Sequence, residues 1–168
     1  WIPFYLETLS DSLNLLSDRP LCDKNIYINP ELFICEEFID TIYKRIISSE
    51  LRPSGEYRYS DLGYYLIHKM LNSTYETDNA IDSLAAAKFY SPMGLFSMGF
   101  NPLNIPGINI KDIAPTEVDT IFRKGTIQGY VHDPGAALFG GVCGHAGVFS
   151  DAHDLARLGQ MLLNGGSS

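Results

Sequence analysis

The chain has 168 residues, 45% of them hydrophobic and 19% charged, which suits one globular domain with a sizeable core and excludes a disordered chain. Its net charge is −8, and its lysines and arginines gather only in short pairs such as Lys44–Arg45. That excludes the basic face that a nucleic acid or an anionic membrane surface would need. No apolar run approaches the length of a membrane span, and no signal peptide is visible at Trp1. The opening "WIPFYLETL" reads as the interior of a domain, so the chain is expected to be a fragment.

Three cysteines, Cys22, Cys35 and Cys143, match no zinc or Cys-x-x-Cys spacing, and each is expected to act as a small buried hydrophobe. Along the chain, "EEFIDTIYKRIISSE" (36–50) sets Phe38, Ile39, Ile42, Tyr43 and Ile46 on one helical face. A second helix is predicted from near Ser60, with Leu62, Tyr65, Leu66 and Met70 at helical spacing. A third is predicted from an N-cap at Asp78 to a stop at Pro92. Residues 91–117 are punctuated by proline and glycine and read as loop with short extended pieces. "HDPGAALFGG" predicts one helical turn capped by Asp133 with Pro134 at its first position. "AGVFS" (146–150) reads as a short buried strand. A last helix follows, capped by Ser150 or Asp151 and closed by Gly165. This order predicts an α+β fold with helices segregated from a small sheet.

Two constellations could carry chemistry. Tyr59-Ser60-Asp61 sits where loop becomes helix, and the partial positive charge of a helix N-terminus would favour the tyrosine's phenolate as a proton carrier. "GGVCGHAGVFS" (140–150) surrounds His145 with glycines and leads into the strand, so its backbone is open to a reacting group and an N–H there could steady an oxyanion. The plainer reading of that stretch is a glycine-rich turn with a histidine packed in the core. A metal site from His132, Asp133, His145, Asp151, His153 and Asp154 is disfavoured, because no tight helical ligand spacing is present and His153 and Asp154 fit the first turn of the last helix. No serine has a lysine three positions on; Thr41 and Lys44 come nearest, and surface polarity explains them.

Taken together, Tyr59-Ser60-Asp61 and His145-Ala146-Gly147, 86 positions apart, resemble the second and third motifs of the serine β-lactamase and penicillin-binding-protein superfamily, nearest its class C-related hydrolases. Blocks such as "YSDLGYYLIHKML", "SPMGL", "IAPTE" and the last forty residues extend the resemblance over about 36–166. They also resemble modules fused behind family-3 glycoside hydrolases (β-N-acetylglucosaminidases) of bacteria.

The resemblance implies a partial β-lactamase/transpeptidase-like domain over 1–168, with 1–140 mainly helical and loops, and 141–168 a strand and helix of the α/β half. It implies that Tyr59 shuttles protons and that Asp61 stands where the family has asparagine. His145 would replace a cationic residue, Ala146 and Gly147 would line the substrate, and Val148 N–H would be an oxyanion donor. The Ser-x-x-Lys nucleophile is absent, so the chain by itself is expected to be inactive. His145, neutral at pH 7 from its ordinary pKa near 6.5, would hold a β-lactam carboxylate weakly. Ester, amide or peptidoglycan-related chemistry through an acyl-enzyme is therefore expected of the parent, outside the cytoplasm, without metal or cofactor. The alternative of another class is a catalytically silent binding or scaffolding module attached to a glycoside hydrolase. Unpaired edges of the strand at 146–150 invite a homodimer.

Overall fold

A computed structural model describes residues 16–17, 20, 22–50, 55, 57, 59–77 and 80–167. The chain turns first through a three-stranded antiparallel sheet ordered β1-β3-β2, from β1 (Leu16–Ser17), β2 (Asn25–Asn29) and β3 (Leu32–Cys35). The β2–β3 hairpin pairs Ile26 with Ile34 and sinks Ile28 and Ile34 into the core. The sequence reading left this hairpin unassigned, although its alternating apolar residues around Asn29-Pro30 are a hairpin signal. A disulfide joins Cys22 to Cys35 at the hairpin's base, which corrects the expectation that all three cysteines are buried thiols; Cys143 is free and buried.

Helix α1 (Glu37–Ser48) buries the predicted face, with Phe38, Ile42, Tyr43 and Ile46 inside and Ile39 packed beside them. Helix α2 (Leu62–Tyr75) departs from its predicted stripe. Tyr65 is buried, but Leu66 and Met70 are exposed, and the second inward position belongs to His68. A polar ring can take that place because it is satisfied there. The Tyr43 hydroxyl, kept protonated by burial, shares a hydrogen bond of 3.0 Å with His68 Nδ1.

Helix α3 (Ala80–Ala85) begins after Asp78, whose expected capping role lies outside the described residues. It does not stop at Pro92. A π-type stretch, Ala86–Tyr90, leads into a further turn, Ser91–Met93, and the end comes at Gly94 with φ 66°. A proline lacks the N–H and crowds the carbonyl four residues back, which a regular helix cannot absorb. The wider π-type ladder just upstream is the local adjustment that lets the helix continue.

The punctuated stretch that follows carries β4 (Gly99–Phe100), two single 3₁₀ turns, and a hairpin of β5 (Glu117–Asp119) and β6 (Gly125–Ile127). Helix α4 (Pro134–Leu138) has the predicted cap: Asp133 accepts from the Ala136 N–H at 2.7 Å with Pro134 next in line. Strand β7 (Val148–Phe149) pairs antiparallel with β4 and is half-open to solvent, Val148 being 50% exposed, where a buried strand was expected. Helix α5 (Ala152–Leu163) is capped by Asp151, and Gly165 turns the chain away at φ 70°.

The mixture is α+β, as the order of elements implied, though 1–140 carries β1 to β6 besides its helices. One apolar cluster unites the β2–β3 hairpin, α1, Tyr65 of α2 and the α4 segment through Phe139 and Cys143. Among the described residues no helix is long and apolar enough to cross a membrane.

Candidate active-site cleft

Several chain segments line one cleft of about 1260 Å³, among them the approach to α2, the turn before α4, and the glycine-rich run into β7. Tyr59, Asp61, His145, Ala146, Gly147 and Val148 all line it, together with His132, Asp133 and Cys143. A smaller cavity of about 740 Å³, beside Tyr43, His68 and Lys69, holds none of the six.

Tyr59 is 80% exposed at the cleft mouth. Its pKa is raised, not lowered as a helix N-terminus would have it. The Asp61 carboxylate is the main cause, since a second negative charge close by disfavours the phenolate. Asp61 opens α2 without a side-chain cap; Ser60 Oγ, one residue earlier, accepts from the Leu62 N–H at 3.3 Å.

His145 sits in the cleft wall with its ring turned inward. Its side chain is 3% exposed, its Nε2 lies 3.0 Å from Asp133 Oδ1, and its ring is 4.6 Å from that of Tyr65. Burial alone would lower its pKa. Hydrogen bonding to Asp133, and the Cys143 sulfur close by, outweigh that and raise it to about 10. The pairing favours the charged imidazole at pH 7, where the sequence expectation was a neutral ring. That expectation took the residue's ordinary value and had no view of a carboxylate twelve positions away. Its Nδ1 is buried without a hydrogen bond of ordinary geometry. Asp133 is held below the usual carboxylate range: burial would raise it, but the His145 and Ala136 hydrogen bonds prevail. His68 is pushed the other way, by burial first and by the nearby His145 charge second, and stays neutral.

The glycines around His145 have an internal cause. Gly147 holds φ 117°, and a Cβ there would collide with the carbonyl oxygen of Gly141. What approaches Gly147 most closely is the preceding turn of the same chain, and at Gly141 it is the Asn101 side chain, so both residues are small for packing whether or not a ligand also enters.

Asp151, His153 and Asp154 bring ligand atoms together, but the carboxylates are engaged. Asp151 accepts from the Asp154 N–H at 2.8 Å, and buried Asp154 accepts from the Ser97 N–H at 2.7 Å, tying α5 to the segment before β4. This is the capping role expected for that first turn.

Sequence reading missed Asp133 as the partner of His145, taking it only as a helix cap and a rejected metal ligand. It also passed over Asp119 and Arg123, opposite charges four positions apart. Tyr65 was legible only as an apolar position.

Comparison with known proteins now adds a second line. Over 128 residues, 70% of its length, the chain is 38% identical to proteins of Salmonella paratyphi B, Salmonella newport and Salmonella enteritidis provisionally named D-alanyl-D-alanine carboxypeptidases. The match spans only 29% of the length of each of these relatives. No family model matches the chain, and neither does any solved structure.

Proposed function

We propose that this chain forms one wall of the acyl-transfer cleft of a serine peptidase of the β-lactamase and penicillin-binding-protein superfamily, acting on D-alanyl-D-alanine ends of peptidoglycan peptides. The observation that carries the reading is the meeting of Tyr59, Asp61 and the 145–148 backbone in one cleft, in a chain similar to carboxypeptidases of that name. Tyr59 would relay the proton between nucleophile and leaving group. Because Asp61 disfavours its phenolate, that role needs a cation beside it, which the lysine of a Ser-x-x-Lys motif elsewhere in the parent would supply. The backbone N–H of Val148 would face the developing oxyanion, with Ala146 and Gly147 along the substrate. His145 would act from behind the wall, its Asp133-stabilised positive charge adding to the field at that backbone.

The Cys22–Cys35 disulfide favours an oxidising compartment, as does a peptidoglycan substrate, so the parent is assigned to the cell envelope outside the cytoplasm. The test is release of D-alanine from an acyl-D-alanyl-D-alanine peptide by the full-length protein, with the 168-residue chain alone inactive. Turnover by the chain alone would overturn the assignment of an external nucleophile. A boronate adduct of the full-length protein with its oxygen remote from the Val148 N–H would overturn the cleft itself.

A further inference from the structure

We propose that Arg123, anchored by Asp119, is a positioning residue of this cleft: its guanidinium sets the turn that aims Asp133 at His145. The role in catalysis rests on the function proposed above; the positioning does not.

The pair is buried. The Arg123 side chain is 0% exposed and its Nε donates to Asp119 Oδ2 at 2.9 Å. The Asp119 carboxylate is saturated, accepting as well from the N–H groups of Ile121, Phe122 and Arg123. That leaves the two terminal nitrogens of the guanidinium, and both are committed. Nη1 donates to the carbonyl of Val131 and Nη2 to the carbonyl of His132. These are the two residues immediately before Asp133.

A planar fork on two successive carbonyls fixes the orientation of the chain entering the next residue, which a single-point donor such as lysine cannot do. Asp133 then makes two bonds from that fixed position, to the Ala136 N–H and to His145 Nε2, and the cleft backbone of 146–148 follows directly. An ion pair buried for stability alone has little advantage over an apolar replacement of the same volume. Retaining one whose two terminal nitrogens both reach the turn before Asp133 points to geometry as its purpose.

The groups that face the His145 ring are Asp133, Cys143 and Tyr65, with neutral His68 near enough to feel its charge. Only Asp133 is held by Arg123. The experiment is therefore an NMR titration of the His145 imidazole nitrogens in the 168-residue chain, assigned by loss of signal in His145→Gln. The wild-type ring is expected to stay protonated through neutral pH. In Arg123→Lys, which keeps the charge and loses the fork, its protonation constant should fall about tenfold or more, with the far-ultraviolet spectrum unchanged. Asp119→Asn, which frees the guanidinium to shift, should move it in the same direction. An unchanged His145 titration in both variants would overturn the proposal, whatever happens to their melting temperatures. Arg123→Lys in an active full-length protein should lower kcat more than it raises KM. A shifted titration beside an inactive full-length protein refutes the functional reading and upholds the clamp, and the converse pair of results does the reverse.

Discussion

His145 Nε2 and Asp133 Oδ1 stand 3.0 Å apart, in a wall where the imidazole is almost wholly shielded from water. Burial and pairing oppose each other here, and pairing prevails. The folded His145 pKa of about 10 lies above its unfolded value of about 6.5. Its contribution to stability is thus complete below about pH 6.5 and is lost as the pH climbs through about 10. Asp133 works at the other end: its pKa is depressed by folding, so its contribution is present above about pH 4 and is lost on acidification. Urea midpoints measured from pH 6 to 10.5 should fall for the wild type relative to His145→Gln, by an amount equivalent to a few kcal/mol. Parallel curves for the two proteins would show that the pair is uncharged.

Asp61 raises the Tyr59 pKa, and the effect is separable from those of the other tyrosines by difference. Ultraviolet titration of Asp61→Asn, compared with the Asp61→Asn/Tyr59→Phe double variant, should show one phenol ionising at lower pH than in wild type. In the full-length protein Tyr59→Phe should reduce kcat by about 100-fold or more, the usual worth of a proton-transfer group. A Tyr59→Phe enzyme with unchanged kcat removes the phenol from the mechanism.

Three glycines should respond differently to alanine. Gly147→Ala meets both the wrong φ and the Gly141 carbonyl and should cost about 2–4 kcal/mol. Gly107→Ala, at φ 87° but in open space, should cost about 1 kcal/mol. Gly159→Ala, inside α5 with nothing nearby, should stabilise by about 0.5–1 kcal/mol. Chemical denaturation of the three variants checks the order.

Reduction of the Cys22–Cys35 disulfide opens a loop of 13 residues' separation and should cost about 3 kcal/mol. Melting curves with and without reductant, beside a Cys22→Ser/Cys35→Ser variant that no longer responds to it, measure this.

Much of the fold was legible because local signals governed it. The face of α1, the Asp133 and Asp151 caps and the close at Gly165 follow from spacing and from the side-chain chemistry of helix ends. What was not legible depended on partners distant in the chain. His68 replaced an apolar residue on α2 because Tyr43, 25 residues earlier, could satisfy it. Pro92 failed to end a helix because the turn before it could widen. The cleft residues were found by motif, yet the charge on His145 depends on Asp133, whose only local signature is that of a cap.

The bonds that Arg123 makes also limit how this wall can be borrowed. A designer who transplants the 143–149 stretch into another scaffold, leaving the 117–133 hairpin and turn behind, would import a histidine without the carboxylate that charges it. A transplant that keeps the charge needs at least the run from Glu117 to Phe149, because Arg123 holds Val131 and His132, and Asp133, next in line, reaches His145.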